Sequence, residues 1–235
     1  MSIHFCTFGS PGYEKAFDRI KRQAINSNFF TSIDIYNETN TPGIEIHVDF
    51  IKKNKRGYGY WFWKPLVILD MMNKYEKDSI IIYADAGCEI IKNEKTTVLF
   101  NKYISDVKNH SSHRLGFVNN HNEYMWTKQD LFDYIKSDNE HKKSKQLCGG
   151  IQILLNTESN KKLMQEWLEI MTIDNYHYVN DNPSILKNHP NFKEHRHDQS
   201  VISLLKKKYG FCPEEYGNLI HKVYLPIHPS RKKNG

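Results

Sequence analysis

Apolar residues in this chain fall into short continuous runs separated by longer stretches with helical spacing, the alternation of an α/β protein. Ile3–Phe8 predicts a first strand, closed by Gly9-Ser10-Pro11-Gly12. Ala16, Phe17, Ile20 and Ala24 then place one apolar face on a helix over residues 13–26, and residues 30–36 predict a second strand that completes a βαβ unit. Behind Pro65, the residues Leu66, Ile68, Leu69, Met72 and Tyr75 predict a helix running straight into Ile80–Ala84. That run is apolar or aromatic at every position and stops at Asp85-Ala86-Gly87, so it reads as a strand buried on both faces in the middle of a parallel sheet. Further on, the spacing predicts a helix over 95–108, a strand over 115–118, and a helix carrying Met125, Leu131, Phe132 and Ile135. A second buried strand, Ile151–Leu155, opens on Gly149-Gly150, and Asn156 is placed to cap a helix over 159–171. A last helix holds Val201, Ile202, Leu204 and Leu205, with Asp198 or Ser200 placed where either could serve simply as its cap, and a last strand falls within 220–229. Residues 37–56 and 172–194 read as polar loops. The fold class is α/β: a central, mostly parallel sheet between helices.

Composition narrows the class. The 235 residues suffice for one large core, and no Pro/Gly/Ser-rich linker divides them, so residues 1–235 read as one domain. A formal charge of +6 favours anionic partners such as nucleotides, phosphates, nucleic acid or an acidic membrane surface. The lysine groups at 52–56, 142–145, 206–208 and 231–233 read as solvated faces. Four scattered cysteines form neither a metal knuckle nor a disulfide framework. The first residues lack a signal-peptide pattern, and no run approaches the roughly 18 apolar residues of a spanning helix. A reducing, cytoplasmic setting is expected, with the basic tail available for peripheral contact with a membrane.

Candidate chemistry gathers at three places. Asp85 stands at the carboxyl end of a central strand, where open α/β sheets bind ligands, and Lys64 begins the preceding helix on that same sheet end. The segment Arg56-Gly-Tyr-Gly-Tyr-Trp-Phe-Trp-Lys-Pro65 holds five aromatic residues beside that lysine, suited to core filling or to stacking on a base or sugar ring. Gly149-Gly150 allows close backbone approach or a bulge. Glu194-His-Arg-His-Asp-Gln-Ser200 is more polar than a helix cap requires. The first turn lacks both G-x-G-x-x-G and G-x-x-x-x-G-K-[ST], which removes dehydrogenase and P-loop readings. His110, His113 and His121 lack metal-ligand spacing and read as surface residues.

In this order, Tyr83-Ala84-Asp85, Cys148-Gly149-Gly150 and Asp198-Gln199-Ser200 resemble the GT-A glycosyltransferases, from Ile3 to about Arg231. The similarity is to retaining glycogenin-like and galactosyltransferase families and to small enzymes of bacterial and viral glycan clusters. It implies a nucleoside-diphosphate sugar as donor, a glycan or lipid-linked acceptor, and Mn²⁺ or Mg²⁺ as cofactor. Carried onto this chain, it implies Asp85 and His228 as metal ligands, and Asp198 and Gln199 beside the anomeric carbon. If the reaction retains configuration, Asp198 steadies an oxocarbenium-like centre; if it inverts, Asp198 is the general base. Thr7, Phe8 and Gly9 would receive base and ribose. Trp63, Lys64, Tyr83, Ala84, Gly149, Gly150 and Arg231 would line the rest of the donor site. The family's first metal-binding acid is Tyr83 here, so Lys64 and the basic tail are an alternative source of charge for the diphosphate.

Two other activities compete. A nucleotidyltransferase lacks its glycine-rich, basic N-terminal signature here. A nucleic-acid-binding module would interleave lysines with aromatics, whereas these occupy separate stretches, and strands ending in carboxylates would repel phosphate; no nucleic-acid partner is expected. A catalytically inactive glycan-binding protein on the same fold is the reading that Tyr83 keeps in play.

Overall fold

A computed structural model describes residues 1–216 and 225–233. Its strands are β1 (Ile3–Phe8), β2 (Ser32–Tyr36), β3 (Ile80–Ala84), β4 (Glu89–Ile90), β5 (Leu115–Asn122), β6 (Lys145–Leu147), β7 (Ile151–Leu155), β8 (Cys212–Glu215) and β9 (Ile227–His228). The main sheet runs β2-β1-β3-β7, with β1 parallel to both β2 and β3. β7 is antiparallel to β3, with Tyr83 opposite Gln152 and Ala84 opposite Ile151. The expected fully parallel surroundings of β3 are thus corrected on one side, because a continuous apolar run encodes burial but not direction. A second sheet, β6-β5-β8, continues the layer, and β4 pairs antiparallel with β9.

Side-chain alternation along β3 explains the layers. Ile80, Ile82 and Ala84 meet Ile20 and Ala24 of the helix Glu14–Ser27 and Phe100, Tyr103 and Val107 of the helix Glu94–Asn109. Ile81 and Tyr83 point the other way, into Val67, Ile68 and Met71 of Lys64–Lys74, Trp167 of Glu158–Tyr176, and Val201 and Leu204 of His197–Tyr209. A strand buried on both faces has no solvent side, so each large β3 side chain removed costs about 2–5 kcal/mol. Asp85 follows Tyr83 by two residues and emerges on the face of the helix that begins at Lys64.

Several expectations change. Residues 37–56 contain a short helical segment, Ile44–His47, and a helix, Val48–Lys53. The cap of Glu158–Tyr176 is Thr157, whose hydroxyl accepts from Asn160 N–H; the Asn156 amide instead donates to Met72, Tyr75 and Glu76 carbonyls, tying the end of β7 to the end of Lys64–Lys74. Neither Asp198 nor Ser200 caps His197–Tyr209, which starts at Arg196 without a side-chain cap. The Lys206–Lys208 group is not wholly a solvated face: Lys206 is buried, with Nζ 2.5 Å from the Leu115 carbonyl oxygen. Of the last strand expected within 220–229, the described part is β9, and residues 220–224 lie outside the described residues.

From Gly57 to Trp61 every residue has a positive φ, so the aromatic segment makes one left-handed turn before Lys64–Lys74. Tyr60, Phe62 and Trp63 are buried, whereas Tyr58 and Trp61 are half-buried against the same core. Among the described residues no helix is long and apolar enough to cross a membrane.

Candidate functional site

The first residue of Lys64–Lys74 is nearly enclosed, its side chain 3 % exposed, and its ammonium reaches two carboxylates from distant segments. Nζ lies 2.6 Å from Asp198 Oδ2 and 3.0 Å from Asp85 Oδ1. The buried Tyr83 hydroxyl donates to the same Asp85 oxygen at 2.7 Å. Burial pulls the Lys64 ammonium down, but Asp198 and Asp85 outweigh it and hold it above the ordinary lysine range. Burial raises the Asp198 carboxyl to about 6 against the pull of Lys64, which favours its ionised form. Asp198 is 6 % exposed and Asp85 37 %, which makes Asp85 the carboxylate that meets solvent.

The glycine pair lets these segments close. A Cβ at Gly150 would stand 2.6 Å from Asp85 Oδ2, and one at Gly149 2.9 Å from Gln199 Cα. The Asp85 N–H donates to the Gly150 carbonyl at 2.9 Å. Gln199 is held at both ends of its amide, accepting from Gly149 N–H at 3.1 Å and donating to Gln146 Oε1 at 2.6 Å. Gln146 in turn donates to Glu123, a wholly buried carboxylate that also receives Thr127, Ser203 and Lys207. A buried carboxylate satisfied this fully fixes its neighbours. Neither Gln146 nor Glu123 was identifiable in sequence, where both sit in a polar stretch without a motif. Behind Asp198, the His197 Nε2–H donates to Asp181 at 2.8 Å, and Tyr60 stacks on the His197 ring at 5.0 Å. Burial lowers His197 to about 4 despite Asp181, so the pair is a hydrogen bond from a neutral imidazole.

The remaining predicted donor residues are placed unevenly. Trp63 stacks on Phe8 at 3.8 Å and lies edge-on to Tyr83, linking the end of β1 to the charged cluster. Thr7 and Ala84 are fully buried, and Gly9 packs on the Phe17 ring. Arg231 is exposed on a C-terminal arm that lies along Gly87: Lys232 N–H donates to the Gly87 carbonyl at 3.1 Å, and a Cβ at Gly87 would be 3.4 Å from Arg231 Cα. His228 faces Glu89 across the β4–β9 pair, with Nδ1 buried and unpartnered, and makes no ion pair with Asp85.

A metal site needs several converging oxygen or imidazole donors. Among the described residues no three His, Cys, Asp or Glu side chains converge in that way. One oxygen of Asp85 already takes an ammonium and a phenol, and its sequence neighbour at the family's acidic position is Tyr83. This donor set does not fit a divalent metal.

No protein-family model and no curated protein matches the chain. Solved structures do: the bifunctional glycosyltransferase WbbM superposes with a TM-score of 0.52 at 8 % identity, over 90 % of this chain and 38 % of that one. The chain has the GT-A glycosyltransferase fold. Weaker likenesses are to the glycosyltransferase GlyE of Streptococcus pneumoniae TIGR4 (TM-score 0.43, 12 % identity, 92 % of this chain and 45 % of that one). Mouse xyloside xylosyltransferase 1 gives a TM-score of 0.43 at 12 % identity, over 92 % and 85 %. The chain therefore spans less than half the length of two of these three structures.

Beside the site is a cavity of about 580 Å³, lined by Lys128, Asp181, Leu186, Glu194 and His195 among others. None of Lys64, Asp85 or Asp198 lines it; it meets them through Asp181, which holds His197 next to Asp198.

Proposed function

We propose that this chain transfers a hexosyl group from a nucleoside-diphosphate sugar to a hydroxyl of a glycan or lipid-linked acceptor, with retention at the anomeric carbon. The observation that carries this reading is Lys64 joined to both Asp85 and Asp198 at the carboxyl end of β3, on a glycosyltransferase fold. The bond from the anomeric carbon to the β-phosphate oxygen breaks and its electron pair stays on the phosphate. The acceptor oxygen bonds the anomeric carbon, and its proton passes to the departing phosphate oxygen.

Lys64 offsets negative charge growing on the leaving group, and Asp198 offsets positive charge growing at the sugar. Asp198 is already bonded to an ammonium and nearly enclosed, which favours this electrostatic role over proton abstraction from an acceptor. Gln199, fixed by Gly149 and Gln146, orients the sugar, and Asp85 at the solvent edge orients the donor. The cavity beside Asp181 is the acceptor's place in this scheme. Mn²⁺ or Mg²⁺ is the cofactor the resemblance implies, but the donors among the described residues do not make its site, so each step uses the chain's own groups.

The test is incubation with UDP-, GDP-, CDP- and dTDP-sugars, with Mn²⁺ or with EDTA, following nucleoside-diphosphate release and thermal shift. At least one donor is expected to shift the melting temperature and release its diphosphate, with Asp198→Asn lowering release about 100-fold or more. Absence of both signals with every donor refutes the reading. NMR of a transferred product gives the anomeric configuration, and an inverted product refutes the role assigned to Asp198.

A further inference from the structure

The Lys64 cluster holds one ammonium against two carboxylates, an excess of negative charge that leaves a donor diphosphate unmatched. A second group of charges borders it and has the opposite sign. Arg196 and Lys193 are held against the 125–126 segment by backbone hydrogen bonds, Arg196 N–H to the Trp126 carbonyl and Lys193 N–H to the Met125 carbonyl, both 2.9 Å. Their side chains return to the Trp126 ring: the Arg196 guanidinium lies 4.0 Å and Lys193 Nζ 5.6 Å from its centroid, with the His121 ring at 5.3 Å. Lys145 stands opposite Asn122 on the neighbouring strand and donates to the Asn120 carbonyl at 3.1 Å. Arg231 comes from the C-terminal arm.

Their fields overlap. His121 is pushed below the ordinary imidazole range by burial and then by Arg196, Lys193, Lys145 and Arg231. Arg196 is lowered by burial, supported by Glu194, and opposed by Arg231 and Arg56. Among the described residues Glu194 is the one carboxylate paired to this group, 3.3 Å from Arg196 Nε and shared with Arg56. Among the described residues Lys145, Lys193 and Arg231 have no carboxylate within ion-pair distance. Three of these four cations thus have no carboxylate partner among the described residues, and cations held together with so little compensation create a positive potential and an anion site.

Its place selects the anion. Arg196 precedes Asp198 by two residues, the Ser200 hydroxyl donates to the Trp126 carbonyl at 2.7 Å, and Arg231 packs on Gly87, two residues beyond Asp85, so the segments that carry these cations adjoin those that carry the carboxylates. We propose that Arg196 and Lys193, on the Trp126 ring, together with Lys145 and Arg231 bind the donor's diphosphate and supply with Lys64 the charge that a divalent metal would otherwise supply. This rests on the glycosyltransferase reading and names the groups that read its leaving group.

Isothermal titration with UDP, GDP and inorganic pyrophosphate, all in EDTA, tests it. Wild-type protein is expected to bind at least one nucleoside diphosphate without metal, with affinity falling as salt rises and changing less than about threefold on adding Mn²⁺. Arg196→Met and Arg231→Met should each weaken binding about tenfold or more, and Arg196→Lys should recover part of the loss. Arg231→Met is the variant least exposed to folding effects, because that side chain is exposed, and the melting temperature of each variant is measured alongside. Binding that requires Mn²⁺, or that survives both methionine variants unchanged, overturns the proposal and leaves sugar transfer standing. Failure of every nucleotide and nucleotide sugar to bind, with or without Mn²⁺, overturns both.

Discussion

Replacing Gly150 with alanine adds one methyl group where the sheet touches the candidate site. That Cβ would lie 2.6 Å from Asp85 Oδ2 and 3.3 Å from its Cγ, whereas ordinary contact begins at 3.4 Å. The carboxylate must therefore move by the difference between 2.6 and 3.4 Å, about 0.8 Å, since a carbon pressed closer is strongly repelled. Its bonds to Lys64 at 3.0 Å and from Tyr83 at 2.7 Å both end on the other oxygen of the same rigid group, so both lengthen. Hydrogen bonds to charged groups are worth about 1.5–3 kcal/mol each, but water reaches the partly exposed Asp85 and the net cost falls to about 1–2 kcal/mol. For a chain of this size that lowers the melting temperature by about 2–8 °C. Activity should suffer more, because a displacement near 1 Å at a reacting site costs about 100-fold. Gly149→Ala is the companion: its Cβ meets Gln199 Cα at 2.9 Å, a backbone atom inside a helix that cannot turn aside, and destabilisation should exceed that of Gly150→Ala. Donor release and calorimetric melting are measured on both. Gly150→Ala protein retaining kcat/KM within about threefold of wild type would show that the position of Asp85 has no bearing on catalysis.

Two further outcomes concern stability. An unfolded histidine titrates near 6.5, whereas burial lowers His197 to about 4; its contribution is therefore intact above pH 6.5 and lost as pH falls toward 4, by up to about 3 kcal/mol. His197→Gln should flatten that part of the melting-temperature profile, and an unchanged slope refutes the assignment. Burial lowers Lys206 to about 7 against 10.5 unfolded, so its folded-state penalty is largest below pH 7 and fades as pH rises toward 10.5. That penalty is about 4 kcal/mol at neutral pH; Lys206→Met removes it but unpairs the Leu115 carbonyl, leaving a net gain of about 2 kcal/mol. The melting temperature should rise at pH 7 and the advantage should shrink by pH 9.5; a variant equally or less stable at pH 7 contradicts it.

The placement of Lys64 and Asp85 on one sheet end was legible because it follows from local signals. A proline marks the helix start, a five-residue apolar run marks the strand, and the run ends at an acid. Contact between Asp198 and Lys64, 134 residues apart, was not legible, because the intervening chain decides it. Asn156 was misread as a cap, and capping stayed an alternative for Asp198, because short polar side chains suit a helix start and a tertiary hydrogen bond equally well. Lys206 illustrates the converse: a charge run looks solvated, but helical geometry turns its first member inward while Lys208 stays at the surface. The four cations of the proposed anion site come from three stretches of the chain, around 145, 193–196 and 231, and nothing in the sequence announces that they act together.

The C-terminal arm owes its position to Arg19, whose Nη2 donates to the carbonyls of Ala86, Cys88 and Lys232 at 3.1, 3.2 and 3.1 Å. This clasp joins residues 213 positions apart, and contacts of such separation form late in folding because nearly the whole chain must be ordered first. Beyond the buried Ile227, the described arm is held by the two-residue β9, the Lys232–Glu89 ion pair and a few hydrogen bonds, so its outer residues are expected to open by local fluctuation while the sheet stays folded. A part of the site that assembles late would thus also detach early, and amide exchange along 230–233, where the arm is half-buried or exposed, should outpace exchange in β3 by orders of magnitude.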